Sequence, residues 1–159
     1  MTRIKGFTLV EILIVVIILG ILAAIVIPQF TEASNDARRS ALDSDLQTLR
    51  SQVELFKIQH NDMFPGATAA APTTVDDELF VTHMTTKTDA AGDAGGSLGP
   101  YLQSFPKNPF VAEDLQDVVI VGAADTDCTY TDLSGWFFDI DTGTMYPNNA
   151  GSAPPVAAE

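Results

Sequence analysis

The sequence predicts an α+β fold: a long N-terminal helix, one half in a membrane and the other packed on a small antiparallel β-sheet of about three strands. Two observations predict it. First apolar and then amphipathic residues run from Phe7 to about His60, whereas β-branched and aromatic runs come late in the chain. A chain of 159 residues has room for one membrane helix and one small globular domain.

The helix starts with an apolar run from Phe7 to Ile27 in which Glu11 is the one charged residue. As a helix this run is about 31 Å long, enough to cross the hydrocarbon core of a bilayer. Arg3 and Lys5 precede it, and the next basic residue is Arg38. This asymmetry predicts a cytoplasmic N-terminus and translocation of the rest of the chain. The run is too long for a secretory signal peptide, and no clear small-x-small cleavage site follows it.

Three positions interrupt the apolar run. A carboxylate at Glu11 is costly in a membrane, so it either has a specific partner or reaches back to the lipid headgroups. Gly20 and Pro28 both weaken a helix, because glycine is flexible and proline removes a backbone hydrogen bond. The simplest structural consequence of these two residues is a kink.

Residues 29–60 form the amphipathic half of the helix. One apolar stripe at helical spacing predicts a face packed on a sheet, and it consists of Leu42, Leu46, Leu49, Val53 and Phe56. Residues 61–146 then form a globular α+β head. Val75 to Met84 is predicted as a short helix with Thr74 as N-cap, and residues 85–97 lack apolar periodicity and are expected to be mobile.

The predicted strands lie at Asp117–Gly122, Gly135–Ile140 and Thr144–Tyr146. The last two flank Asp141-Thr142-Gly143, which is typical of a hairpin turn. Trp136 on an apolar strand is expected in the core. Residues 147–159 are rich in Pro, Ala and Gly and predict a flexible C-terminal tail.

Composition excludes several functions. The net charge of −13 argues against nucleic-acid binding, which needs a basic patch. A single cysteine, Cys128, rules out an intramolecular disulfide, and the two histidines have no zinc-like spacing. No nucleophile–base pair, phosphate loop or nucleotide fingerprint is present, so no catalytic residue and no enzymatic activity are predicted.

The hexapeptide Gly6-Phe7-Thr8-Leu9-Val10-Glu11, after a short basic leader and before an unbroken apolar helix, resembles the processing signal of type IV pilins and type II secretion pseudopilins. The resemblance is strong over residues 1–60 and looser beyond. It implies a leader of residues 1–6, removed by a prepilin peptidase between Gly6 and Phe7, and N-methylation of Phe7. It also implies a retained segment, residues 7–28, that first spans the membrane and then packs in the core of a filament.

The resemblance implies three further roles. Glu11 would pair with the α-amino group of Phe7 on a neighbouring subunit, and the stretch from Gly20 to Pro28 would unwind in the filament, with a plain kink as the alternative. Major pseudopilins bind calcium in a C-terminal loop. Here Asp125, Asp127 and Asp132 offer clustered carboxylates of the kind calcium prefers, and the simpler alternative is a solvated acidic loop. Calcium is the one possible cofactor.

The sequence therefore predicts a structural filament subunit of a secretion pseudopilus or a type IV pilus. Its expected partners are copies of itself or minor pilins, the prepilin peptidase and N-methyltransferase, and an inner-membrane assembly platform. Its expected location is the inner membrane with the head in the periplasm, and then a filament. The alternatives are a DNA-uptake or adhesion pilin and a single-pass membrane-anchored binding domain that does not polymerise.

Overall fold

The computed structural model describes residues 6, 8–71, 74–123 and 134–148. Within them, two helices precede three strands: α1 (Leu9–Gln59), α2 (Asp77–Thr85), β1 (Val119–Gly122), β2 (Trp136–Asp139) and β3 (Thr144–Pro147). The predicted α+β class is confirmed, as is the order of a long helix, a short helix and late strands. The chain divides into two compact units, the N-terminal unit up to Ser40 and the head unit from Ala41 onward.

Helix α1 has 51 residues and continues through both Gly20 and Pro28. Pro28 has no backbone N–H, so one carbonyl of the preceding turn lacks its helical donor. That carbonyl is Ala24's; the Thr31 hydroxyl donates to the Ile27 carbonyl at 3.2 Å, which adds a bond and does not replace the lost donor. Helix α1 is nevertheless continuous across the stretch whose unwinding the family resemblance implies for the assembled state.

In the N-terminal unit, the apolar side chains from Leu9 to Phe30 are exposed, with exposed fractions between 41% and 81% for the large ones. This stretch is long and apolar enough to cross a membrane. A helix that is apolar on every face requires an apolar environment on every face. No described residue of the chain buries these side chains.

The head unit has one hydrophobic core. Four residues of the predicted α1 stripe are buried there, namely Leu42, Leu49, Val53 and Phe56, and Leu46 packs against them. Facing them are Phe80 and Met84 of α2 and Trp136 and Phe138 of β2. The prediction that Trp136 is a core residue is confirmed: its side chain is fully buried, and its Nε1–H donates to the Pro106 carbonyl at 2.8 Å.

The three strands form one mixed sheet in the order β1-β2-β3. The prediction of a wholly antiparallel sheet is wrong for β1, which pairs parallel to β2 with Val119 opposite Trp136. Strands β2 and β3 are antiparallel, with Phe137 opposite Tyr146. Residues 123–135 separate β1 from β2, which is about the dozen residues that a parallel connection needs.

The predicted hairpin turn between β2 and β3 is confirmed, and the buried Asp139 organises it. Its carboxylate accepts from the Asp141 N–H and the Thr142 hydroxyl, at 3.0 and 2.6 Å, while its carbonyl accepts from the Gly143 N–H at 2.8 Å. Gly143 has φ +67°, and a Cβ at this position would lie 2.7 Å from the Phe64 ring. Glycine is required here by both conformation and space.

Helix α2 begins two residues later than predicted, and its N-cap is Asp76, not Thr74. Asp76 Oδ1 accepts from the Leu79 N–H at 2.9 Å, which satisfies one of the free amides of the first turn. The adjacent Asp77 accepts from the Val121 N–H at 2.8 Å and so ties α2 to strand β1. Burial raises the pKa of Asp77 despite this hydrogen bond, and the charge of Asp76 raises it further.

Residues 86–98, here called the Thr88 loop, form several internal hydrogen bonds, which the absence of apolar periodicity did not predict. Thr88 and Leu98 exchange two backbone hydrogen bonds of 3.0 Å, and the Asp89 carboxylate accepts from the amides of Ala91 and Asp93. Thr88 itself is buried. A polar segment without periodicity is thus fixed by hydrogen bonds rather than by apolar burial.

The head extends beyond the predicted start of the tail. Pro147 ends β3, and Asn148 is buried, with its N–H donating to the Gly135 carbonyl at 3.1 Å. The remaining tail residues, 149–159, lie outside the described residues.

Candidate processing and assembly site

The predicted cleavage position lies at the start of the N-terminal unit. Gly6 is exposed, and a Cβ built on it would meet no atom within 4 Å. Phe7, the predicted new N-terminus, lies outside the described residues. Helix α1 begins at Leu9, so Gly6 precedes the regular helix and its backbone is accessible.

Glu11 takes part in a capping box with Thr8. The Thr8 hydroxyl oxygen accepts from the Glu11 N–H at 3.3 Å, and Glu11 Oε2 accepts from the Thr8 N–H at 2.8 Å. The Thr8 hydroxyl also donates to Oε2, at 2.8 Å. The two residues satisfy each other's amides at the point where the helix has no preceding turn to do so.

This geometry leaves half of the carboxylate available. Both hydrogen bonds that the Glu11 carboxylate accepts use Oε2, and Oε1 accepts no hydrogen bond from the residues that the structure describes. The neighbours of Glu11 along the helix are apolar and exposed. The carboxylate is therefore fixed in direction at the helix start, and its second oxygen can accept from a donor outside this chain.

Thr8 was not singled out as a functional residue in the sequence. Its signal is the pattern Thr-x-x-Glu before an apolar run, which is the capping-box pattern. The capping box also shows that Glu11 has a local structural role that is independent of any partner. The capping box accounts for Oε2 of Glu11. Whether the carboxylate binds a partner subunit or reaches the lipid headgroups concerns Oε1.

Gly20 and Pro28, the two predicted weak points, lie within the regular part of α1. A Cβ on Gly20 would meet no atom within 4 Å, so no close approach inside the described chain requires a glycine there. Its neighbours Leu19 and Ile21 are more than half exposed. The described residues therefore supply no packing reason for Gly20, and the helix-weakening role stays a prediction.

The predicted metal ligands Asp125, Asp127 and Asp132 lie outside the described residues. Among the described residues, no three acidic, histidine or cysteine side chains group together as a metal site would require. One buried acceptor is nevertheless unsatisfied there: Asn148 Oδ1 has no hydrogen-bond partner. Its amide nitrogen donates at 2.8 Å to Ser134, which directly follows the range 124–133.

Comparison with known proteins identifies a family motif at the N-terminus and several relatives. The prokaryotic N-terminal methylation motif matches residues 1–27. The chain is 37% identical over 78 residues to the type II secretion system core protein G of Dickeya chrysanthemi, covering 45% of this chain and 50% of that protein. It is 39% identical over 57 residues to the type IV narrow pilus major component PilA5 of Thermus thermophilus, covering 36% and 49%. No solved structure matches the chain.

The match thus spans about half the length of these two relatives. It is longer for the type II secretion system core protein G of Vibrio cholerae, at 30% identity over 110 residues, which cover 69% of this chain and 68% of that protein. That alignment extends well past the methylation motif and α1 into the head. The chain therefore belongs to the family of type IV pilins and type II secretion pseudopilins, whose members are structural proteins and not enzymes.

Proposed function

We propose that this protein is a structural subunit that polymerises into a filament of the secretion-pseudopilus or type IV pilus kind. The observation that carries the proposal is the N-terminal unit itself. A processing-type hexapeptide opens a helix whose apolar side chains are exposed on every side from Leu9 to Phe30. Such a surface needs a bilayer before assembly and other helices of the same kind afterwards.

The proposed life cycle begins in the inner membrane. The basic residues Arg3 and Lys5 hold the N-terminus in the cytoplasm, and the acidic head lies in the periplasm. A prepilin peptidase then cuts between Gly6 and Phe7, and Phe7 is N-methylated. The accessible, side-chain-free Gly6 supports this step, because a peptidase must approach the backbone closely.

Processing is tested by intact-mass measurement on protein isolated from membranes of cells with an active prepilin peptidase. The expected product lacks residues 1–6 and carries one additional methyl group. A Gly6→Leu variant should keep its leader, since a bulky side chain obstructs the cut. Wild-type protein that retains Met1 to Gly6 would contradict the proposal.

In the filament, we infer that Glu11 pairs with the α-amino group of Phe7 on an adjacent copy. The support is geometric: the capping box directs the carboxylate and leaves Oε1 as an acceptor. An ion pair among apolar helices fixes their axial register, because every other register leaves two charges unpaired in apolar surroundings. The assembly platform and any minor pilins would act on this same unit.

Glu11→Ala separates membrane insertion from assembly. Removing the carboxylate makes insertion easier, so the variant should enter the membrane and be cleaved after Gly6. It should still fail to form filaments, because the N-terminal amine then has no partner. Electron microscopy and sheared-filament yield give the measurement. The matched control is Glu32→Ala, which removes an exposed carboxylate of the same helix beyond the apolar run. Wild-type filament yield from Glu11→Ala would favour a carboxylate that only reaches the headgroups.

Calcium is the proposed cofactor, held by Asp125, Asp127 and Asp132. The unsatisfied, buried Asn148 Oδ1 beside Ser134 supports it, since amide oxygens as well as carboxylates are calcium ligands. The carboxylate of the nearby Asp139 already has a structural role, because each of its oxygens accepts a hydrogen bond within the hairpin turn. Calcium would supply positive charge to an acidic head and would join the segment between β1 and β2 to the sheet.

The test is the melting temperature of the full chain in detergent micelles, with millimolar calcium and with magnesium as the comparison ion. Calcium should raise it, because a ligand that binds the folded state stabilises that state. The rise should vanish in D125N/D127N/D132N and persist in Asp114→Asn, which neutralises an exposed carboxylate elsewhere in the head. An unchanged melting curve in wild type would leave the three carboxylates as a solvated acidic loop.

A further inference from the structure

The head unit buries both histidines of the chain around one aromatic ring. Phe56 of α1 stacks on the His60 ring, with centroids 3.7 Å apart and planes within 2°, and on the His83 ring at 5.5 Å. His60 is fully buried and His83 is 2% exposed. Tyr101 packs edge-on against both Phe56 and His60. Two ionisable rings are therefore placed deep in a small domain, and neither belongs to the processing and assembly site.

The hydrogen bond between Gly66 and His83 requires a neutral ring. The Gly66 N–H donates to His83 Nδ1 at 3.1 Å, and a backbone amide can only donate, so Nδ1 must carry a lone pair. On the opposite side, the ring contacts Gly92, where a Cβ would lie 3.2 Å from His83 Cε1. His83 thus joins α2 both to the turn at Pro65–Gly66 and to the Thr88 loop, and a proton on Nδ1 would face the Gly66 N–H directly.

His60 has different partners. Its Nδ1 lies 2.9 Å from the Phe56 carbonyl oxygen, and its Nε2 lies 2.8 Å from the Thr88 hydroxyl. A carbonyl accepts from either form of the ring, and a hydroxyl can rotate to donate to a neutral ring or accept from a charged one. Protonation of His60 therefore breaks none of its hydrogen bonds, whereas protonation of His83 breaks one.

We propose that His83 is an acid-sensitive latch: its neutral ring holds the Pro65–Gly66 turn on the head through the Gly66 N–H, and its protonation releases this turn while the sheet stays folded. Gly66 has φ +86°, and a Cβ at this position would lie 2.6 Å from Val75. The turn therefore packs its backbone directly against Val75. The sheet hydrogen bonds do not involve His83, which is why local release does not require global unfolding.

The groups around the His83 ring favour its neutral form in the folded state. Burial lowers the pKa of His83, the neighbouring His60 lowers it further, and the Gly92 backbone and Asp93 of the Thr88 loop act against them. Tyr101 stays neutral, because burial raises its pKa. A histidine with a lowered pKa in the folded state leaves stability unchanged above its ordinary pKa of about 6.5 and reduces it as pH falls below that value. Asp77 has a raised pKa, so its protonation favours the folded state and cannot cause an acid-induced release.

The experiment uses the full chain in detergent micelles with isotope-labelled histidine. With two histidines in the chain, one variant at each position assigns both ring signals. Ring titration by NMR and amide hydrogen exchange are followed between pH 7.5 and pH 4.5. The reporters are the Gly66 amide for the latch and the Ile140 amide, which donates to Gly122 at 3.1 Å, for the sheet.

The protection factor of the Gly66 amide should fall by up to about tenfold per pH unit below about pH 6.5, while that of Ile140 stays constant. His83→Gln, which keeps an acceptor but cannot titrate in this range, should abolish this pH dependence; His60→Gln should retain it. If His83→Gln does not fold, the wild-type titration still decides. A His83 ring that titrates at or above pH 6.5, or a Gly66 amide that stays protected once the ring is charged, would overturn the proposal.

Discussion

The two units of this chain differ in how far they bury their apolar side chains. In the head unit, Leu49, Phe80 and Trp136 are fully buried by the chain's own residues. In the N-terminal unit, Leu19 and Ile17 are more than half exposed although they are equally apolar. The head is therefore stabilised by contacts within one copy. The N-terminal unit depends on surroundings that one copy does not provide, namely lipid or other copies.

The comparison is tested most strongly by the same substitution in both units. Leu49→Ala removes a fully buried side chain and should lower the free energy of unfolding of the head by about 2–5 kcal/mol. Leu19→Ala should leave that free energy unchanged, because Leu19 is more than half exposed and is not one of the residues that form the head core. Trp136 is the only tryptophan and lies in the core, so its fluorescence during urea unfolding in micelles reports on the head alone.

The opposite ranking should hold for assembly. Leu49→Ala protein that remains folded should enter filaments, whereas Leu19→Ala should lower filament yield by removing apolar area that only another copy covers. Equal destabilisation of the head by the two substitutions would mean that the units are not energetically separate.

Sequence periodicity was sufficient for the parts of the fold that depend on apolar burial. The α1 stripe, the core position of Trp136 and the hairpin at Asp141-Thr142-Gly143 follow from spacing and turn chemistry alone. The direction of β1 does not, because a strand of four residues carries no mark of which neighbour it joins. Strand direction depends on the tertiary context, in which β1 also donates from the Val121 N–H to Asp77 of α2.

The two remaining differences have separate physical origins, one a contact between distant segments and the other a local hydrogen bond. The Thr88 loop is anchored by a hydrogen bond between Thr88 and His60, which lies 28 residues earlier in the chain. The polar local sequence does not show this contact and by itself predicted a mobile segment. At the processing and assembly site, Glu11 was evident as a charge in an apolar run. The role of Thr8 was less evident, because the apolar pattern dominates the same few residues, although the Thr-x-x-Glu spacing of a capping box is present in the sequence. A polar contact between distant segments, such as that of Thr88 with His60, leaves no such pattern.

The two units can also be compared through one arginine in each, Arg50 in the head unit and Arg39 in the N-terminal unit. Arg50 in the head donates through Nε and Nη2 to the Met145 carbonyl, at 3.0 and 2.9 Å, and lies 5.5 Å from the centre of the Tyr146 ring. Arg50→Ala should therefore destabilise the head by about 1–2 kcal/mol, since a charged hydrogen bond and a ring contact are lost. Arg50→Lys should recover only part of this, because an ammonium cannot donate with the guanidinium's planar fork.

Arg39 of the N-terminal unit is the control for Arg50. It is exposed and lies within 4 Å of no acidic group in the described residues, so Arg39→Ala should change the free energy of unfolding by less than about 0.5 kcal/mol. Urea unfolding followed by Trp136 fluorescence measures both variants. Loss of head stability in Arg39→Ala as large as in Arg50→Ala would contradict the view that the N-terminal unit contributes little to the head.

The smallest of the expected destabilisations, apart from the control variants, concerns the start of α2, where the structure and the sequence pattern indicate different N-caps. Asp76 accepts from the Leu79 N–H, so Asp76→Ala should lower the free energy of unfolding by about 1 kcal/mol. Thr74→Ala should have almost no effect, because Thr74 lies outside the helix and accepts no bond from its first turn.

Asp76→Asn tests the capping hydrogen bond separately from the negative charge of Asp76. Asparagine caps as well as aspartate, and it removes the negative charge that raises the pKa of Asp77. Asp76→Asn should therefore keep most of the stability and move the titration of Asp77 toward its ordinary value, which carbon-detected NMR of the carboxyl groups can follow. A larger loss from Thr74→Ala than from Asp76→Ala would return the N-cap to the residue that the sequence pattern first indicated.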